Sequence, residues 1–586
     1  MNHIFYKSIL KTFLISISYF FSLYVSAVED RSIIENNRQD QRINDLEKQL
    51  LNDSIMLHPQ QKKIEKIALQ DLIVSENPCF EIKQLKFIVN DALVSQDYDK
   101  FNFLFYLLNN DNLIVGQCIG TQSLQNIVRY AQNELIKHGY ITTQMTVNPQ
   151  DLSQGILTLN LSLGTIHRVI STDKTVSNQE IFAAFPVSEG DLLNLKQIDQ
   201  GLENLKRVSG RDIDIKIEPA VLTQGDDQIG YSDLIISSRS YPKIAINLGV
   251  DDSGYKNTGH YIGSLGLSIN NPLHLNDVFN INLSHSLDNW HKDKNQSYYL
   301  NYAVPFKNYE LSTSFNEYTF EQNTPGYNGP PITYKGETRQ TNLTLSRLIS
   351  RSSNYKTSLY GKAYHKTTRN TFGGIDLISQ RRTTTGWNLG IQHRQYWGTG
   401  ILDLAMDYRR GTGALEAKSA PEENIYFDKI HLPVEGYARA PLWTADIRYN
   451  QPFTIYDHPI QYRLNWRGQY APKILVGPDR FFIGGRYSVR GFDGEISLSG
   501  DNGHYLQQEF SWNSPIPATQ LYAAIDQGWV NGRNSLPNNH YLMGGVFGTR
   551  SYFKGFYLDA FVGHGLVAPN TLKKEWVSGF NFNFSY

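Results

Sequence analysis

The sequence predicts two tandem domains of β-α-α-β-β order, preceded by a candidate plug helix and followed by a transmembrane antiparallel β-barrel of about 16 strands. Three features carry this prediction: an N-terminal export signal, polar–apolar alternation throughout the second half, and an aromatic strand at the chain end. The composition agrees, because Tyr, Phe and Gly are abundant (36, 29 and 45 residues) while the mean hydropathy is only -0.40. Barrel strands combine apolar residues that face lipid with polar residues that face the lumen.

The charge balance and the motif content argue against several function classes. A formal net charge of -1 gives no basic excess of the kind that nucleic-acid-binding proteins show. The chain has no HExxH sequence, no GxSxG sequence and no Cys/His cluster with metal-ligand spacing. We therefore expect no enzyme activity, no metal and no cofactor, and a hydrolase assay tests the alternative of an outer-membrane enzyme.

The first 27 residues have the pattern of a secretory signal peptide. Lys7 and Lys11 supply the positive region, an uncharged and mostly apolar stretch covers 12–25, and small residues at 25–27 form a cleavage site. An uncleaved anchor helix is the alternative. No later apolar run approaches the ~18 residues that a membrane-spanning helix needs. A membrane location would therefore require strands.

Residues 28–51 are predicted to form a helix, and 52–77 a linker. Ile43, Leu46 and Leu50 make only a narrow apolar stripe, and the other faces of this helix are polar. Two interpretations stay open: a surface or coiled-coil helix, or a plug helix that lies in a wet channel.

Two small α/β domains follow, over 78–163 and 164–240. In the first, the predicted strands and helices are 80–89, 98–108, 123–137, 141–147 and 155–163. The second repeats the order with 166–171, 178–184, 195–207, 213–217 and 233–237. Cys79 and Cys118 are the only two cysteines. Since an export signal implies an oxidising compartment, we predict that they form a disulfide, against the alternative of two buried free thiols.

The barrel is predicted over 241–586. Period-two alternation, as in 277–286 and 298–306, recurs to the chain end, and a soluble β-sandwich or propeller is the alternative. The last segment, WVSGFNFNFSY, has one polar face and one aromatic face, the latter formed by Phe580, Phe582, Phe584 and Tyr586. A soluble protein rarely ends on an exposed aromatic strand, whereas a closed barrel pairs that strand with the first. The terminal aromatic face also resembles the signal that outer-membrane assembly machinery recognises.

Several motifs in this order resemble the ShlB/FhaC/HecB (TpsB) family. PCFEI (78–82), CIG (118–120), HGYITT (138–143) and PQDLSQGIL (149–157) are similar to the first POTRA domain of that family. EGDLLNLKQIDQGLENLKRV (189–208) is similar to the second. RYSVRGFDGE (486–495) resembles the VRG(F/Y) motif, and AAIDQG (523–528) resembles the motif that receives it on the barrel wall.

The resemblance implies an inward-folded pore loop at about 472–502, with Val489, Arg490, Gly491 and Phe492 at its tip and with Asp526 and Gly528 as its partners on the wall. The residues agree, because strand alternation places Asp526 on the luminal face if its apolar neighbours face lipid. An arginine can then form a two-point contact with the carboxylate. A solvated Arg490 and an unrelated Asp526 are the alternative.

The resemblance also implies a function, namely the outer-membrane translocator of a two-partner secretion system. Such a protein would recognise an unfolded exoprotein (a haemolysin, an adhesin or a contact-dependent toxin) through its periplasmic POTRA domains and export it through the barrel. The implied partners are the exoprotein, outer-membrane lipid and, during biogenesis, the barrel assembly machinery, with no nucleic acid. A BamA/TamA-like insertion factor is the alternative, although such proteins commonly have more POTRA domains and lack the leading helix.

Overall fold

A computed structural model of the chain describes residues 32–47, 71–89, 92–93, 99–109, 113–172, 175–208, 210–221, 230–239, 241–288, 294–324, 330–420, 423, 426–427, 430–431, 436–532 and 540–586. The predicted signal peptide and most of the predicted linker lie outside these residues. Within them, no helix combines the length and the apolar character needed to cross a membrane.

The first α/β domain has a mixed sheet covered by two helices. The strand Gln84–Val89 pairs in parallel with Ile156–Ser162, which pairs in turn with the short edge strand Gln144–Thr146. The helices Asn102–Asn109 and Thr121–Lys137 bury Leu104, Leu108, Ile127 and Leu135 in the core beneath this sheet. Leu72, from the end of the predicted linker, is buried in the same core. The domain therefore begins before Pro78.

A disulfide joins Cys79 to Cys118 beside a short antiparallel pairing of Phe80–Glu81 with Cys118–Ile119. The bond spans a sequence separation of 39 residues. Closing a loop of this length restricts the unfolded chain and stabilises a domain by about 3–4 kcal/mol. We expect Cys79→Ser to lower the stability of the first domain by this amount, and limited proteolysis of the purified protein should cleave that domain at lower protease concentrations. An unchanged cleavage pattern would contradict the prediction.

Glu76 caps the helix Thr121–Lys137 from outside the helix. Its carboxylate accepts hydrogen bonds from the backbone N–H of Ser123 and Gln122, each at 2.8 Å, and of Gly120 at 3.1 Å. Gly120 occupies the N-cap position and has no side chain for this purpose. Hydrogen bonds from Ser123, reinforced by the other backbone donors, lower the pKa of Glu76 to about 2.

This lowered pKa predicts a pH dependence for the first domain. Because the folded-state pKa lies below the ordinary value of 4.5, the carboxylate stabilises the domain above about pH 4.5, and this contribution disappears as the pH falls toward 2. Glu76→Gln should remove the loss of stability that protonation of Glu76 causes between about pH 4.5 and 2. The measurement is the resistance of the first domain to proteolysis at a series of pH values in this range. An equally steep loss of resistance in Glu76→Gln would assign the sensitivity to other groups.

The second α/β domain repeats the order with a three-stranded sheet. Its strands are Thr165–Ser171, Ile213–Pro219 and Tyr231–Ser238, with Tyr231–Ser238 in the middle and parallel to the first. A capping box at Ser177 and Glu180 begins the helix Asn178–Ala184, and Leu195–Lys206 is the second helix. The separate cores of the two domains confirm the predicted tandem repeat.

The rest of the chain closes into an antiparallel barrel, which confirms the predicted 16 strands. In chain order, and named below by ordinal number, they are Ile244–Asp251, Ile262–Asn270, Val278–Ser286, Lys294–Phe306, Tyr309–Thr324, Ile332–Arg351, Tyr355–Phe372, Arg382–Trp397, Gly400–Thr412, Leu442–Ile455, His458–Tyr470, Asn502–Asn513, Thr519–Asn531, Tyr541–Phe553, Phe556–Val567 and Trp576–Ser585. A two-residue strand, Ile375–Asp376, pairs additionally with the seventh.

The sixteenth strand closes the barrel against the first. Phe582 is opposite Val250, and Phe584 is opposite Leu248. The backbone of Tyr586 exchanges hydrogen bonds of 2.9 and 3.0 Å with Ile246. Asn581, Asn583 and Ser585 line the lumen, so the polar face of the last segment is the inner one.

The second α/β domain is docked on the turns at one end of the barrel. Glu180 pairs with Arg211 at 2.9 Å and accepts from Asn271 Nδ2 at 2.6 Å. Glu203 pairs with both Arg351 and Lys356 on the sixth and seventh strands. Burial acts to raise the pKa of Glu203, but the two ion pairs outweigh it and hold the pKa at about 2. These polar contacts fix the domain at the rim.

Candidate pore and its occluding segments

The helix of residues 32–47 lies inside the barrel. Asn36 Oδ1 accepts from Thr338 Oγ1 at 2.9 Å, Asp40 pairs with Lys366 at 2.7 Å, and Arg42 pairs with Asp251 at 3.2 Å. These partners lie on the sixth, seventh and first strands, so the helix is surrounded by the wall. Of the two interpretations that the sequence left open, the structure has the helix in the channel.

The buried face of this helix is polar. Its buried residues are spaced as one helical face and include Ser32, Glu35, Asn36 and Gln39. Glu35 accepts from Tyr318 and, at 3.0 Å, from Asn295 Nδ2, both on the barrel wall. The first two turns of the helix therefore contact the wall through polar side chains and not through the apolar stripe, which begins only at Ile43. The helix meets the polar lumen through hydrogen bonds and ion pairs of its polar side chains.

A long connection between the eleventh and twelfth strands, 471–501, folds back into the barrel. It contains a hairpin of Phe481–Ile483 with Leu498–Gly500. This connection leaves the barrel end opposite the docked α/β domain. An apolar cluster holds it to the thirteenth and fourteenth strands, and its members are Phe481, Ile483, Val489, Phe492, Leu498, Val530, Leu542 and Leu572.

Arg490 at the tip of this loop meets Asp526 on the thirteenth strand. Its Nε lies 2.8 Å from Asp526 Oδ2 and its Nη2 lies 3.0 Å from Oδ1, which is a two-point contact. The backbone N–H of Arg490 donates to the same carboxylate at 2.9 Å. Asp526 is 0% exposed. Charge-assisted bonds of this kind are strong and directional when they are enclosed.

Glycines let the loop tip approach the wall. A Cβ at Gly528 would lie 2.7 Å from Val489 Cγ2, and a Cβ at Gly544 would lie 1.8 Å from the Arg490 carbonyl oxygen. Gly491 has a φ of +101°, which disfavours other residues. The structure thus brings together the predicted loop residues and their predicted wall partners, Asp526 and Gly528.

Sequence reasoning missed a second carboxylate at the loop tip. Glu509, on the twelfth strand, accepts from Arg490 Nη1 and from Arg550 Nη2, each at 3.0 Å. Arg550 also pairs with Asp559 at 3.0 Å. Strand alternation places Glu509 on the polar face of its strand, because its neighbour Phe510 lies on the other face. The sequence around Glu509, however, contains no motif that predicts a contact with Arg490.

The helix and the loop are linked through the first strand. Asp251 receives Arg42 of the helix at 3.2 Å and Arg486 of the loop at 3.8 Å. Arg486 also pairs with Asp252 at 2.6 Å. The helix and the loop therefore share one carboxylate on the barrel wall.

A cavity of about 1260 Å³ remains beside the helix. Polar and charged side chains of the helix, the loop and the wall line it, among them Asp40, Gln340, Arg409 and Asn465. In the described part of the chain, His, Cys, Asp and Glu side chains nowhere gather in threes that could hold a metal ion. The lumen is thus a polar passage occupied by the helix and the loop.

These features define a class: a membrane β-barrel whose lumen is filled by its own helix and loop, with two α/β domains at one mouth. The model for the haemolysin secretion/activation proteins ShlB/FhaC/HecB matches residues 230–551, and models for POTRA domains match 111–164 and 165–219. The chain belongs to the ShlB/FhaC/HecB family, which comprises outer-membrane transporters of two-partner secretion with POTRA domains in the periplasm.

Individual relatives agree with this assignment. The solved structure of CdiB from Acinetobacter baumannii is 48% identical, with a TM-score of 0.85 over 95% of this chain and 99% of that one. The outer membrane transporter CdiB-2 of Burkholderia pseudomallei (strain 1026b) is 29% identical over 93% of this chain and 92% of its own length. The hemolysin transporter protein HpmB of Proteus mirabilis is 27% identical, covering 79% and 78%. The predicted family, fold class and outer-membrane location are confirmed, and secretion is favoured over the barrel-insertion alternative.

Proposed function

We propose that this transporter exports an unfolded exoprotein through its barrel after the helix and the loop have moved. The observation that carries the proposal is how the helix of residues 32–47 is held. Its contacts with the wall are side-chain hydrogen bonds and ion pairs, such as Asn36 with Thr338 and Asp40 with Lys366. Water can replace such contacts, whereas it cannot replace an apolar core.

The two POTRA domains are proposed to receive the exoprotein in the periplasm. In the second domain Ile213–Pro219 is an edge strand, which among the described residues pairs on one side only, with Tyr231–Ser238. An unfolded chain can add a strand to such an edge through backbone hydrogen bonds, which requires little sequence specificity. The sheet and the barrel mouth are held together by the docking contacts of Glu180 and Glu203.

The remaining roles follow from the same proposal. The loop tip, Val489 to Phe492, and its wall partners would set whether the passage is open. The outward aromatic face ending at Tyr586 would be recognised by the barrel assembly machinery, and lipid would surround the barrel. No catalytic step is proposed, and folding of the exoprotein outside the cell would drive export. The cargo would be a haemolysin, an adhesin or a contact-dependent toxin.

Co-expression of the transporter with a candidate exoprotein tests the proposal, and a very large exported protein encoded in a neighbouring reading frame would be such a candidate. Cells that express both proteins should release the exoprotein, and cells that lack the transporter should retain it. The levels of other outer-membrane proteins should be equal in the two strains. If those levels fall while the exoprotein is still released, the insertion-factor alternative replaces the proposal.

A further inference from the structure

One exposed aromatic side chain of the second POTRA domain lies beside the lipid-facing wall of the barrel. Phe182, in the helix Asn178–Ala184, is 61% exposed, whereas its neighbours Ile181 and Ala183 are buried. Its ring lies 6.0 Å from the ring of Phe306 in an edge-to-face arrangement. The core of the domain does not use this ring, so its position needs another explanation.

The barrel fixes where Phe182 lies. The backbone N–H of Lys307, in the turn after the fourth strand, donates to the Ala183 carbonyl at 2.7 Å. Asn271, in the preceding periplasmic turn, donates to Glu180 at 2.6 Å. Contacts with the rim thus hold the helix on both sides of Phe182.

Phe306 belongs to the outer face of the fourth strand. In that strand Tyr298 and Phe306 are exposed, while Tyr299 is buried and donates to Glu47 of the luminal helix at 3.2 Å. Residues in phase with Phe306 therefore face lipid, and Phe306 is the last of them before the turn. Phe182 extends this outward row beyond the end of the barrel.

Two cations lie near aromatic rings at this end of the barrel. Lys307 Nζ lies 5.0 Å from the ring centroid of Phe182 and 5.8 Å from that of Phe306. The Arg347 guanidinium lies 5.3 Å from the ring of Tyr309, and Tyr309 and Arg347 are both exposed. Aromatic rings beside Lys and Arg are typical of the boundary between acyl chains and headgroups.

We infer that Phe182 inserts into the periplasmic leaflet of the outer membrane, with Lys307 beside it to meet a lipid phosphate. The occupant is phospholipid because the ring continues a lipid-facing row and the adjoining cation complements an anionic headgroup. This contact adds to the polar docking and sets the orientation of the second POTRA domain relative to the membrane.

Spin labelling tests the inference. Both native cysteines are bonded, so Phe182→Cys provides a single free thiol for a nitroxide label. The matched control is Tyr106→Cys, because Tyr106 is also an exposed aromatic residue but lies on the first domain. The full-length protein is reconstituted in vesicles of phosphatidylethanolamine and phosphatidylglycerol. The collision rates of the nitroxide label with oxygen, which concentrates in the bilayer, and with a water-soluble nickel chelate are then compared.

At position 182 the ratio of oxygen to nickel accessibility should be several-fold higher than at position 106. Because the label is itself apolar, a second measurement uses Phe182→Trp and Tyr106→Trp. Lipids brominated in their acyl chains should quench the added fluorescence of the first variant and not that of the second. Equal nickel accessibility and no quenching at 182 would overturn the inference, as would protection that appears only when the exoprotein is added.

Discussion

Replacement of Arg490 by Ala should reduce secretion strongly while the barrel remains inserted in the outer membrane. The substitution leaves Asp526, which is fully enclosed, and Glu509 without the guanidinium that lies between them. Removing one partner of an enclosed pair costs about 3–5 kcal/mol. That energy corresponds to roughly two to four orders of magnitude in the population of the docked loop. In the proposed mechanism the contact between the loop tip and the wall sets whether the passage is open, so a loop that has lost its docked position no longer switches the passage between two defined states.

The chain contains a matched control for this experiment. Arg369 and Asp376 make the same two-point contact, with distances of 2.7 and 2.8 Å, but the pair is exposed. Exposed pairs contribute about 0–1 kcal/mol, so Arg369→Ala should secrete nearly normally. Exoprotein in the medium is quantified by immunoblot, and barrel insertion is measured by heat-modifiable migration. Normal export by Arg490→Ala would remove the loop contact from the mechanism.

Cross-linking the luminal helix to the wall should abolish secretion. Asn36 and Thr338 are hydrogen bonded at 2.9 Å, so cysteines at both positions can be joined by a short thiol-reactive cross-linker. The proposed mechanism requires the helix to leave the lumen, because the remaining cavity of about 1260 Å³ lies beside the helix and is interrupted by its side chains. We expect export to fall to the level of cells without the transporter.

The control for this experiment uses the same wall residue. Thr338 and Thr368 lie on adjacent strands with their hydroxyls 3.3 Å apart, so a cross-link between cysteines there joins two strands without touching the helix. That variant and the single-cysteine variants, treated with the same reagent, should still export. If the helix-to-wall cross-link also permits export, passage does not require the helix to leave.

Strand alternation made much of the barrel predictable from sequence. Each residue in a strand faces opposite to its neighbours, so the polar side of the last segment and the luminal side of Asp526 follow from local pattern alone. The motif around Arg490 and the cysteine pair could be predicted for a different reason, because each depends on a few residues of distinctive type. The two α/β domains could be predicted from the helical and strand periodicities of their sequences.

The contacts that fill the lumen could not be predicted in this way. Arg42 meets Asp251 across 209 residues, and Asn36 meets Thr338 across 302. Such pairs depend on the register of all 16 strands and on where the helix enters, which no local pattern contains. Glu509 shows the same limit, because its luminal phase can be read from the sequence but its partners cannot.

By itself the sequence determined the order of the domains, the inner and outer faces of the strands, and the family, because these depend on composition, periodicity and short motifs. Only the tertiary structure decided that a polar helix occupies the channel, that Asp251 joins the helix to the loop, and that Phe182 lies beside Phe306 at the rim of the barrel. The physical reason is closure. Once the sixteenth strand pairs with the first, residues that are hundreds of positions apart in the sequence lie in one enclosed polar space. Which of them form ion pairs then depends on which side chains the closed barrel brings close together.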